Sequence, residues 1–165
     1  MSHLIALVFD DPHEAEEARA TLHRMVNEGL LDVQDAVLIG KKPDGKIVVS
    51  QEDKVIGGDQ KTGHVAGLIA GAVTGTLPFP MSGTLAGRLI SILMDHGITH
   101  KFVKDLKQEV QPGTSALLLL GAADPERRQR IEERMNEFGA KVLTAHLPAE
   151  ILEQIESEIE RQKAA

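Results

Sequence analysis

The sequence predicts an α+β fold on three observations: a strand–helix–strand pattern near the amino end, its return near the carboxyl end, and a charge-free glycine-rich stretch between them. Residues 3–40 and 114–147 read as two copies of one unit. Two such units pack most simply as a ferredoxin-like sandwich, an antiparallel or mixed sheet covered on one face by two helices. The expected organisation is a single domain over residues 1–165. Residues 1–52 supply the first unit plus an edge strand, and 53–112 an inserted glycine-rich helical hairpin with a connecting helix. Residues 113–165 supply the second unit and a C-terminal helix.

Each element has its own local reason. His3 to Phe9 is a short apolar run, and Asp11-Pro12 follows with the chemistry of a helix start, Asp as N-cap and Pro at the first helical position. Ala15, Ala18, Leu22, Met25 and Val26 then recur at helical spacing, with Glu14, Glu16, Glu17, Arg19 and Arg24 on the outer face, and Gly29 is placed to end the helix. Val33 to Gly40 reads as a second strand, and Pro43-Asp44-Gly45 is a turn into a third, Lys46 to Gln51. Near the carboxyl end Ser115 to Leu120 is apolar and Asp124-Pro125 repeats the cap. Ile131, Met135 and Phe138 line one helical face, Gly139 closes that helix, and Lys141 to Leu147 supplies the last strand. Pro148 to Lys163 is a polar helix with Ile151, Leu152, Ile155 and Ile159 on one side, enough to dock on the body or on a neighbouring subunit.

The centre carries the strongest functional signal. From His64 through Gly87 there is no Asp, Glu, Lys or Arg. Gly63, Gly67, Gly71 and Gly75 recur every four residues, and Gly83 and Gly87 follow Pro78-Phe79-Pro80. Each interior Gly costs a water-exposed helix about 1 kcal/mol relative to Ala, so a stripe of them implies close packing that offsets the loss. Residues four apart share a face, and Gly there lets two backbones approach closely. The pattern therefore predicts a partner helix, either Met81 to Met94 folded back across the Pro-Phe-Pro turn or the same segment of another subunit. Val65, Leu68, Ile69, Ala70 and Val73 between the glycines argue against a flexible linker. Gly63, Gly67, Gly71, Gly75, Phe79, Gly83 and Gly87 are thus the candidate oligomer interface. A hairpin apolar nearly all round is also expected to exceed what one small body can cover.

Composition limits the alternatives. The chain has 42% hydrophobic and 26% charged residues, as a globular protein does. Four Phe with no Trp or Tyr remove the usual base-stacking platforms, and a net charge of −7 opposes polyanions, so no nucleic-acid partner is expected. No Cys means no disulfide, thiolate metal site or cysteine nucleophile. The apolar run Leu4 to Phe9 is broken by Asp10 and Asp11 and does not read as a signal peptide, which makes cytoplasmic the expected location. Pro78 and Pro80 limit the apolar helix to Val65–Leu77, about 20 Å against roughly 30 Å of bilayer hydrocarbon, and Arg88 sits in the second half.

Other motifs are incomplete. Gly57-Gly58-Asp59-Gln60-Lys61-Thr62-Gly63 lacks the Gly before Lys61 that a phosphate loop needs. His96 and His100 are spaced i, i+4 beside Asp95, but Gly97 reads as the end of the hairpin and Thr99 as the cap of the next helix, so no metal site is assigned. Asp11 is taken by capping, and no nucleophile–base–orienter set stands out, so no catalytic residue and no cofactor are assigned. Lys101, Lys104 and Lys107 form the outer side of a helix whose inner side is Phe102, Val103, Leu106 and Val110.

LIALVFDD at Leu4–Asp11, VQDAVLIGKKPDGK at Val33–Lys46, MDHGIT at Met94–Thr99, VQPGTSALLLL at Val110–Leu120 and GAKVLTAHL at Gly139–Leu147 together resemble bacterial domain-of-unknown-function family 1269 over residues 4–160. That resemblance implies no activity; it implies association with a membrane, since members are described as predicted membrane proteins. The expectation is a non-enzymatic protein that partners itself, as a dimer, ring or polymer, in the cytoplasm or at the inner membrane face with lipid as a further partner. Its rivals are a membrane-inserted hairpin and a small-molecule sensor or enzyme using a cleft between body and hairpin.

Overall fold

A computed structural model describes residues 2–29, 32–52, 65–122 and 124–164. Five strands, β1 (Ser2–Phe9), β2 (Asp32–Lys41), β3 (Ile47–Gln51), β4 (Thr114–Ala122) and β5 (Lys141–Leu147), form an antiparallel sheet in the order β3-β2-β4-β1-β5. Six helices are seen among the described residues: α1 (Glu14–Asn27), α2 (Val65–Thr74), α3 (Gly83–Asp95), α4 (Gly97–Glu109), α5 (Pro125–Asn136) and α6 (Ala149–Ala164). The protein is α+β, as its sequence predicts. The units β1-α1-β2 and β4-α5-β5 interleave, each placing one strand between the two strands of the other.

Helices cover both faces of the sheet, those of the two units sharing one face and those of the inserted region lying on the other. Ile5, Leu7, Phe9, Leu117 and Leu119 pack on one side against Ala15, Ala18, Leu22 and Met25 of α1 and Ile131 and Met135 of α5. Leu4, Ala6, Val8, Leu118 and Leu120 face the other side, where α2 and α4 lie on the sheet, α3 rests on both, and α6 packs against α3. This explains why Leu117–Leu120 is an unbroken leucine run: a strand buried on both faces has no polar side to alternate with. α6 docks within its own chain, with Ile155 fully buried.

The helix starts divide. Asp124 caps α5 as expected, its Oδ1 accepting from Arg127 N at 2.8 Å with Pro125 in the first turn. The α1 start is a correction. That helix begins at Glu14 after His13, and Asp11 instead accepts from His13 N at 2.7 Å. The orphan Ala15 N donates to Ser115 Oγ on β4 at 3.2 Å, and Ser115 Oγ donates to Asp11 O at 2.6 Å. A tertiary contact has taken over the work of a local cap. Likewise α4 starts at Gly97 with His96 before it; Thr99 is buried inside the first turn, its Oγ1 3.2 Å from His96 Nδ1.

Candidate functional site

The candidate region is the glycine-rich hairpin, and its two halves differ. α2 is core: Val65, Ala66, Leu68, Ile69 and Ala70 are fully buried between the sheet, α3 and α4. Its amino end is held by Asp35, a buried carboxylate on β2. Asp35 Oδ2 accepts from Ala66 N at 2.9 Å, while Oδ1 accepts from Ala36 N at 3.0 Å and from Gln51 Nε2 of β3. A register shift between Val33 and Asp35 brings the carboxylate to this face; Val33 and Ala36 both pack on the α1 side, which an unbroken strand's period of two forbids. At the other end Gly75 adopts φ +80 and its N–H donates to Gly71 O at 2.8 Å, a left-handed helix stop that explains this glycine without any partner.

The glycine stripe on α2 is filled, though not by a helix. A Cβ on Gly67 lies 2.3 Å from Phe79 Cε1, 3.0 Å from Pro78 Cγ and 3.1 Å from Gln51 Oε1. A Cβ on Gly71 lies 2.6 Å from Leu77 Cδ2. The helix after the turn does fold back against α2 as expected, but over Gly67 and Gly71 themselves it is the Leu77-Pro78-Phe79 turn that fills the space. The argument from an uncovered apolar hairpin is corrected too. Among the described residues, Val48 and Ile98 are the exposed large hydrophobic side chains, and neither belongs to α2 or α3. Gly63 and the Gly57–Gly63 loop lie outside the described residues.

α3 presents the opposite situation. Ser82 Oγ caps it, accepting from Leu85 N at 3.2 Å, and Ala86, Leu89 and Leu93 bury its inner face. Gly83 and Gly87 are exposed, with nothing within 4 Å of where a Cβ would stand. Ser91 continues the four-residue spacing and is exposed as well, a residue the glycine count missed although the same period points to it. Together with Thr84, Arg88 and Ile92 these residues floor an open groove against Glu158 of α6. Arg88 Nη1 is 4.0 Å from Glu158 Oε2, and Arg161 Nη1 is 3.2 Å from Glu158 Oε1.

Elsewhere, a cavity of about 110 Å³ lies between the start of α1 and strands β2 and β3, with Pro12, His13, Leu38, Lys42, Val48 and Ser115 in its wall. It does not lie between body and hairpin, and it is well below the ~300 Å³ at which small-molecule pockets begin. His96 engages Thr99 while His100 is exposed on α4, so the i, i+4 histidines do not converge; no cluster of three metal-ligating side chains is found among the described residues. Lys101, Lys104 and Lys107 are exposed, and Lys101 pairs with Asp105 at 2.7 Å.

One titrating group stands out. Burial, then the Arg128 guanidinium, the His146 ring and the amino terminus, hold the His3 imidazole below the ordinary 6.5. The unfolded chain therefore takes up this proton first as pH falls. Between 6.5 and the lowered value the unfolded state binds more protons, so stability drops with falling pH, and the whole penalty is present below the lowered value. Urea unfolding at pH 7.5 and pH 5.5 should show a larger fall in midpoint for the wild type than for His3→Gln. Equal falls would remove His3 as the cause.

The family described as protein of unknown function DUF1269 matches residues 62–160, more than half of the chain. The chain belongs to that family. The DUF1269 match begins just before α2 and ends within α6, so it takes in α2, α3 and α4 and the second strand–helix–strand unit. No curated protein and no solved structure matches the chain. In this DUF1269 member no helix among the described residues is long and apolar enough to cross a membrane.

Proposed function

We propose that this protein is a non-enzymatic self-associating protein whose copies meet through the outer face of α3, on a ferredoxin-like body with the hairpin inserted on its second face. The observation that carries the reading is the open space over Gly83 and Gly87. Gly87, in the helix interior, forgoes about 1 kcal/mol of helix propensity that alanine would supply, and a closely approaching second helix offsets such a loss. Within α2 the same spacing is already matched by Leu77 and Phe79, which leaves α3 as the surface for another molecule. Arg88 and Glu158 flank the groove with opposite charges, a self-complementary arrangement suited to a two-fold contact.

Light scattering on the purified protein tests this reading. The wild type is expected to have the mass of at least two chains, and Gly87→Leu that of one. Gly87→Leu should still fold as a single chain with a cooperative unfolding transition, because the site is open and Leu is the better helix former by roughly 0.8 kcal/mol. Glu17→Gln on α1 should leave the mass unchanged. A single-chain wild type, or an unaltered mass in Gly87→Leu, would overturn the proposal. Flotation with liposomes in place of a defined soluble particle would favour the membrane-inserted rival.

A further inference from the structure

We propose that His3, His146 and Arg128 form a binding site for a small oxyanion, a phosphate or carboxylate group, where β1 and β5 meet the first turns of α5. His3 and His146 are register partners on adjacent strands, and their rings lie 5.5 Å apart, tilted by 55°. Arg128 precedes Ile131 and Met135 by three and seven residues, which puts it on the inward stripe of α5 above the same strands. His3 is 8% exposed. Arg128 Nε and His146 Nδ1 are shielded from solvent, and neither has a hydrogen-bond partner among the described residues. Buried nitrogens of this kind are nearly always satisfied, and the Arg128 Nε–H, which can only donate, calls for an acceptor that the described residues do not supply.

The charges around the site agree. The amino terminus and Arg128 both act on His3 in the cationic sense. Asp32 of β2 and Asp124 of the α5 cap are engaged by a different arginine: Arg127 is 3.4 Å from Asp32 and 3.7 Å from Asp124. Glu132, one turn beyond Arg128, forms no ion pair with it among the described residues. Three nitrogen groups that carry or accept positive charge thus share this corner with no ion-paired carboxylate among the described residues, the reverse of the protein's overall balance of −7. An arginine Nε–H and an imidazole N–H are donors that oxyanions take, and a bound anion would favour the protonated form of His3. Binding therefore tightens as pH falls through the histidine range.

Histidine ring resonances followed by NMR at pH 6.5 and constant ionic strength provide the test, with inorganic phosphate and acetate as separate probes. Saturable shifts of His3 and His146 are expected with at least one probe, and the His3 pKa should rise at saturation. Which probe saturates assigns the site to phosphate or to carboxylate chemistry. Arg128→Lys, which keeps the charge but loses the planar donor, should weaken binding about tenfold, and Arg128→Gln should abolish it. Arg130→Gln, on the exposed side of α5, should leave it unchanged. Absence of saturation with either probe, or equal shifts in wild type and Arg128→Gln, would overturn the assignment.

Discussion

Replacing Asp35 by Leu is expected to remove about 3 kcal/mol of stability. Its carboxylate is 1% exposed and accepts from Ala36 N, Gln51 Nε2 and Ala66 N, joining β2, β3 and the start of α2 at one point. Leu has the same number of side-chain heavy atoms but is bulkier, so crowding adds to the lost hydrogen bonds, and the isosteric Asp35→Asn isolates the latter. Gln51 Nε2 retains Ala36 O at 3.2 Å, but the Ala36 and Ala66 amides are left buried without an acceptor, each costing roughly 1–3 kcal/mol. Asp35→Asn should cost less, since one amide oxygen still serves two donors while its NH₂ opposes the third. Urea unfolding gives the magnitudes, and hydrogen exchange gives the place: protection at Ala66 should fall in both variants before that of β1 and β4. A loss below about 1 kcal/mol for Asp35→Leu would show that the carboxylate is not what anchors α2.

The same residue marks where sequence reading stops. The strands of the sheet are legible because each is an apolar run bounded by turn residues: Lys141–Leu147 stands as read, and β1 and β4 differ from expectation at their ends alone. Asp124 is legible as a cap because its partner, Arg127 N, lies three residues away. Asp35 carries no comparable mark, since its partners come from positions 51 and 66 and a strand bulge aims it there. Ser115 capping α1 is hidden for the same reason, its partner lying a hundred positions away. In the glycine ladder a close approach is found at Gly67 and Gly71 and none within the chain at Gly83 and Gly87. Spacing carries no information about what fills such a stripe, and α2 and α3 turn out to be opposite cases. Burial of α2 by its own sheet was also illegible, because a helix apolar all round looks alike whether protein or lipid surrounds it.

The contrast between Gly67 and Gly71 tests that account of the ladder directly. Both sit on α2 and both would place a methyl group too close to a neighbour, yet the neighbours differ in their freedom to move. Over Gly71 the obstacle is Leu77 Cδ2, the end of a flexible, half-buried side chain; a rotation of Leu77 clears it, and the gain in helix propensity offsets the disturbance. Gly71→Ala is therefore expected to lie within about 0.5 kcal/mol of wild type. Over Gly67 the ring of Phe79 closes one side at 2.3 Å, the Pro78 ring a second at 3.0 Å, and Gln51 Oε1 a third at 3.1 Å. Pro78 has no rotamer to escape into, and Gln51 is held through its Nε2 by Asp35 and Ala36 O. Gly67→Ala should thus cost about 1–3 kcal/mol despite the better helix former, and Gly67→Leu more. The companion change Phe79→Ala should recover part of the Gly67→Ala loss, because removing the ring opens the tightest side, and the double-mutant coupling energy measures that contact. If Gly71→Ala proved the more damaging of the two, or if Phe79→Ala gave no recovery, the turn would not be what occupies the stripe, and a second helix would regain its claim to it.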